Sequence, residues 1–172
     1  SYPDNVDEGT NRGLEFDLTY QANDNLSLTA SFGLLDTKLG DLSVQDIDTY
    51  PPTPVEKTNR NQAHAPRYQY SISASYLFSE TISFNLQLEG KDKFYFSNGH
   101  DIQSDSFKLA HATLRYELER YEVSIWGRNL LDETYKTRGF YFGNNPLNGW
   151  INEPYYQFGE PRTLGIAARL HF

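Results

Sequence analysis

The stretch that decides the fold is Thr163-Leu164-Gly165-Ile166-Ala167-Ala168-Arg169-Leu170-His171-Phe172. Every second residue gives Leu164, Ile166, Ala168, Leu170 and Phe172 on one side of a strand, and Thr163, Gly165, Ala167, Arg169 and His171 on the other. One face is wholly apolar. An apolar face that runs to the last residue is expected to meet lipid or a core rather than water.

The same two-residue period recurs upstream. Leu14, Phe16, Leu18 and Tyr20 alternate with Glu15, Asp17, Thr19 and Gln21; after the polar turn Ala22 to Asn25, residues 26 to 34 alternate again, which predicts a hairpin. Tyr70 to Phe78 and Ile82 to Glu89 predict a second hairpin around Ser79-Glu80. Ala110 to Leu118 and Tyr121 to Arg128 predict a third around Glu119-Arg120, with Trp126 an exception on the polar phase. Seven strands result. They are separated by tight turns after Gln21, Phe78 and Leu118, and by long loops over 36–66, 97–106 and 136–161. Antiparallel neighbours place all the tight turns at one end and all the long loops at the other, the asymmetry of outer-membrane barrels. The apolar positions of these strands named above carry no charge, and Tyr20, Tyr76, Phe78, Tyr116, Tyr121 and Phe172 gather beside the tight-turn end, where an aromatic girdle sits. A soluble β-sandwich also alternates, but its core requires neither the segregated loop lengths nor the aromatic edge.

Composition narrows the function. A net charge of -8 over 172 residues argues against nucleic acid as a partner. The absence of cysteine removes disulfides and thiolate metal sites. His64, His100, His111 and His171 have no ligand spacing, so no metal and no cofactor is expected; His111 and His171 fall on the polar phase, as a wet lumen requires. Glu15 and Asp17 form a carboxylate pair two residues apart, but a polar barrel interior explains them without catalysis, and no enzyme is expected. The acidic stretch 41–48 lacks the glycine and spacing of a calcium loop and reads as solvated surface. The stretch 138–150 combines aromatics, amides and a guanidinium, chemistry suited to a polar, partly aromatic ligand. Arg138, Tyr141, Asn144, Asn145 and Trp150 are its candidate ligand-binding residues.

Trp126-Gly127-Arg128-Asn129-Leu130-Leu131-Asp132-Glu133-Thr134-Tyr135, followed by a loop and a closing aromatic strand, resembles the C-terminal signature of the TonB-dependent outer-membrane receptors. Asn11 to Phe16 and Ala65 to Gln69 resemble earlier segments of that family in the same order. The resemblance implies an all-β fold: an antiparallel transmembrane barrel segment of about seven strands, the C-terminal part of a barrel of the twenty-two-stranded type. Residues 1–172 would then be a portion of a receptor, with the plug and the preceding strands outside it. It further implies uptake of a nutrient such as an iron–siderophore complex, with capture by external loops followed by a pull on the plug. The implied partners are outer-membrane lipid, the nutrient, the TonB energy-coupling complex through a missing N-terminal region, and the assembly machinery that reads a terminal aromatic, here Phe172. The competing expectation is a free-standing β-protein that binds or adheres without transport.

Overall fold

The computed structural model describes residues 8–171. Its main sheet has seven antiparallel strands: β1 (Gly9–Gln21), β2 (Leu26–Leu39), then, past a hairpin of β3 (Leu42–Asp46) and β4 (Thr53–Lys57), β5 (Tyr68–Leu77), β6 (Ile82–Lys91), β7 (Phe107–Glu117) and β8 (Tyr121–Arg128). A second separate hairpin, β9 (Lys136–Phe142) and β10 (Glu153–Phe158), precedes the last strand, β11 (Thr163–Leu170). The order across the sheet is β1-β2-β5-β6-β7-β8-β11, a meander in which each strand pairs with the next one in the sheet. The seven strands expected from the alternation are these seven.

Their register makes the alternation a property of the whole sheet. Phe16 lies opposite Phe32 and Phe32 opposite Tyr70. Ala74 lies opposite Leu86 and Leu86 opposite Ala112. Leu114 lies opposite Ile125 and Ile125 opposite Ile166. Every apolar phase is therefore on one side, and that side has no cover: Leu164 is 70% exposed and Ile166 74%. A soluble sandwich would bury these side chains, at about 25 cal/mol per Å² of apolar surface; a hydrocarbon solvent makes their exposure favourable.

The opposite face is polar and self-bonded. Ser31 donates to Asp17 (2.6 Å), Asn85 to Ser75 (2.9 Å), and Glu122 sits between Arg115 (3.3 Å) and Arg169 (3.5 Å). Trp126 is on this face, as its phase required, and its indole lies over Gly165, where a Cβ would collide with the ring. Glycine is needed there for close approach.

Side chains that compete for backbone donors make the tight turns. The Asn23 carboxamide oxygen accepts from Asn25 and Leu26 N–H (both 2.9 Å), and the Ser79 hydroxyl accepts from Ile82 N–H (3.1 Å). Tyr20, Tyr76, Phe78, Tyr116 and Tyr121 lie beside these turns, with Tyr76 and Phe78 edge to face at 4.9 Å. Phe172, the sixth expected girdle residue and the expected assembly signal, lies outside the described residues.

Two expected long loops are instead largely hairpins. Polar flanks and three prolines hide β3 and β4, but Val44 pairs with Val55, and Pro54 is tolerated in a short two-stranded sheet that has no further partner. In β9 and β10 aromatics occupy both faces, Phe140 and Tyr155 on one and Tyr141 and Tyr156 on the other by register, so no polar phase marks a strand.

The Asn129-Leu130-Leu131-Asp132 element is a structural staple. Asn129 is 2% exposed and left-handed (φ 47°), a conformation asparagine tolerates. Its amide nitrogen donates to the carbonyls of Glu133 (2.8 Å) and Glu160 (3.0 Å), and its side-chain oxygen accepts from Glu133 N–H (2.9 Å). Arg162 bonds the Asp132 carboxylate at 3.2 Å. The end of β8 is thereby tied to the approach to β11 across the excursion of the β9–β10 hairpin.

Candidate functional site

The buried residues of the described chain include Leu42, Phe94 and Phe96, which belong to the long-loop end rather than to the middle of the sheet. Phe94 and Phe96 pack edge to face at 5.4 Å, His64 stands 5.4 Å from Phe94, and Tyr156 of β10 lies 6.2 Å from Phe96. Three loop regions from different strands thus share a small aromatic core.

Arg60 extends that core into a polar clamp. An antiparallel bridge to Leu39 holds its backbone, with Leu39 N–H donating to the Arg60 carbonyl at 2.8 Å. Its side chain is 5% exposed and crosses to residues 97–101. One guanidinium nitrogen donates to the Asp101 carboxylate; another donates to the Ser97 carbonyl (3.0 Å) and to the His100 carbonyl. The guanidinium carbon lies 4.0 Å from the centre of the Tyr95 ring, a cation–π stack. Lys57 Nζ adds a second cation to the same carboxylate at 2.7 Å. These hydrogen bonds hold the Asp101 carboxyl below its ordinary pKa, so the carboxylate stays charged and the clamp persists through mildly acidic media. Burial first, and then the Arg60 cation, push the His100 imidazole below its ordinary value, against the smaller opposing pull of Asp101. His100 is therefore neutral near pH 7.

The β9–β10 hairpin closes over the other side. Tyr141 OH donates to Asp48 (3.0 Å), while the Asn152 amide donates to the Ile47 carbonyl and to Asp48 (both 2.9 Å). The Asp48 hydrogen bond raises the Tyr141 phenol pKa. Asp48, in the acidic stretch that read as solvated surface, thus accepts hydrogen bonds that join two hairpins. Between them opens a cleft of about 700 Å³, lined by Val44, Ile47, Asp48, Lys57, His100 and Tyr141 among others. Lys57 and the buried Arg60 share Asp101, but Asp46 and Asp48 also line the cleft, so its charge is not positive overall, and Lys57 is the cation on its wall beside apolar and aromatic surface. Lys57, Tyr141 and the apolar wall offer a ligand an ammonium, a phenol and a flat apolar surface.

Of the five candidate residues, Tyr141 alone lines this cleft. Arg138 is exposed on the opposite side of the hairpin by register. Asn144 is exposed near the tip. Asn145 caps the one-turn helix Pro146–Asn148, accepting from Leu147 N–H at 3.0 Å. Trp150 is 61% exposed at positive φ. Sequence reasoning passed over Lys57, Arg60, Tyr95, His100 and Asp101, because Arg60 and Asp101 meet across 41 positions of chain and no local spacing announces the contact. Among the described residues no group of histidines and carboxylates could hold a metal ion.

A meander with an uncovered apolar face, a polar opposite face, tight turns at one end and interlocked hairpins at the other defines a segment of an outer-membrane β-barrel wall. The family described as TonB dependent receptor-like, beta-barrel, matches residues 1–130, and the chain belongs to that family. Its structure is similar to the ferric yersiniabactin uptake receptor FyuA from Yersinia pestis, with a TM-score of 0.71 and 17% identity over 95% of this chain and 24% of that one. The closed form of the ferric-catecholate import receptor Fiu from E. coli K12 superposes more loosely, with a TM-score of 0.49 and 17% identity over 95% of this chain and 28% of that one. The chain thus spans about a quarter of the length of FyuA.

Proposed function

We propose that these residues form one arc of the wall, with its external loops, of an energy-coupled outer-membrane receptor that imports a nutrient such as a ferric siderophore. Family membership supports the reading, and the FyuA likeness supports the fold on which it rests. The single observation that carries it is the clamp, in which a buried arginine, a lysine and a tyrosine are held rigid at one mouth of the sheet. The two edge strands also favour a larger barrel. Among the described residues β1 and β11 each pair on one side only, and open edges in lipid leave backbone groups without partners. Neighbouring strands of the same receptor would supply them, and a plug with its TonB contact would occupy the lumen.

In this proposal the ligand is captured in the cleft beside Lys57, His100 and Tyr141, with Arg138, Asn144, Asn145 and Trp150 borne on the exposed side and tip of the hairpin above. In a complete receptor, Lys57→Ala is expected to weaken binding of the transported ferric chelate about tenfold or more, as truncating an anchoring side chain does. Titration of intrinsic fluorescence with a panel of ferric chelates would measure it. If Arg138→Ala weakens binding and Lys57→Ala does not, the ligand sits on the outer side of the hairpin and the cleft reading fails.

The orientation has its own test. Cysteine at Asn145, in a complete receptor on intact cells, is expected to react with an impermeant maleimide, and cysteine at Asp24 in the first tight turn is not. Equal labelling would reverse or remove the assignment of the long loops to the exterior.

A further inference from the structure

Lys108 breaks the apolar phase of β7. It precedes Ala110 and Ala112 by even steps and therefore shares their lipid-facing side, one residue inside the long-loop end of the strand. No ion pair among the described residues uses it. Its cross-strand partner is Gly90, over which the Tyr70 ring folds, and a Cβ at Gly90 would run into that ring. Directly below, the surface is recessed into a groove of about 680 Å³, lined by Phe32, Tyr70, Ile72 and Leu88, with Leu131 and Lys108 also on its wall. A lone ammonium facing hydrocarbon is costly unless it reaches the interface or meets a counter-charge.

We propose that this groove is a binding site for a phospholipid of net negative charge, the acyl chain lying against Tyr70, Ile72 and Leu88 and the phosphate meeting Lys108 Nζ at the membrane surface. Charge complementarity selects the occupant, because Lys108 is the cation of an apolar trough whose one lining acid, Glu89, is engaged by His111 and Gln87 of the polar face, and such a trough matches an anionic amphiphile. A protein strand has no edge to join here, since β5, β6 and β7 are each paired on both sides. The site is separate from the loop cleft and does not depend on what the loops capture.

The experiment is native mass spectrometry of a complete receptor in neutral detergent, titrated with phosphatidylglycerol, with phosphatidylcholine of the same acyl chains, and with inorganic phosphate. Phosphatidylglycerol is expected to be retained preferentially. Lys108→Gln should reduce that retention about fivefold, the worth of one basic residue at an anionic lipid surface, and reduce that of phosphatidylcholine, whose choline already offsets its phosphate, much less; Lys108→Arg should keep the preference. Ile72→Trp, which fills the trough, should reduce retention of both lipids. An unchanged preference in Lys108→Gln overturns the proposal, as does competition by millimolar inorganic phosphate, which would mark a bare anion site.

Discussion

Leu86→Arg is expected to cost about 2 to 4 kcal/mol of folding stability in lipid vesicles, and Gln87→Arg a small fraction of that. The two positions are adjacent on β6 and differ in little but the face they present. Leu86 is flanked by Ala74 and Ala112, midway along the strand, where the bilayer is driest. Gln87 is flanked by Ser73 and His111 on the polar face, and its amide already bonds Ser71 and Glu89 at 3.4 Å. A guanidinium there gains a carboxylate neighbour in Glu89. Urea titration of the two variants in vesicles, in a complete barrel, measures the difference. Equal losses would mean that the outward assignment of the apolar phase is wrong.

Asn129→Ala should destabilise the barrel by a similar amount, about 2 to 4 kcal/mol, by deleting three hydrogen bonds from a buried site and leaving two carbonyls and an N–H without partners. Alanine also tolerates the left-handed backbone less well than asparagine, an added cost on the order of 1 kcal/mol. Two further variants separate these contributions. Asn129→Gly removes the backbone cost and keeps the lost bonds, whereas Asn129→Asp keeps the acceptor for Glu133 N–H and loses both donors. If Asn129→Gly unfolds at the wild-type denaturant concentration, the side-chain staple contributes nothing and only the backbone shape matters.

The sheet was legible in the sequence because its physics is local. Leu14, Phe16, Leu18 and Tyr20 need only their own spacing to declare a face, and the Asn23 and Ser79 side chains close their turns on backbone two or three residues away. Even the misfit of Trp126 was readable, since parity placed it inside before the Gly165 contact explained how it fits. The loop end was not legible for the opposite reason. Val44 and Val55 sit among prolines and acids, and β9 and β10 carry aromatics on both faces, so periodicity was silent. The clamp was harder still. Arg60 is one arginine in a polar run, and only the fold delivers it to Tyr95 and Asp101. The motif at Asn129 could be recognised by likeness, while its role as a tie between two strand ends depends on Glu160, 31 positions away, which no local spacing announces.

The meander has a consequence in time. Since each strand of the sheet bonds to the next one along its order, the wall can be laid down strand after strand, the steps alternating between a tight turn and a longer loop excursion whose closure costs only slowly more with length. The ties at the loop end obey another schedule. Tyr141 reaches Asp48 across 93 positions, and Asn152 reaches it across 104, so neither bond can form before nearly the whole wall has been laid. The mouth is therefore the last part to acquire its shape, and a receptor halted partway through insertion would display loose external loops above finished strands.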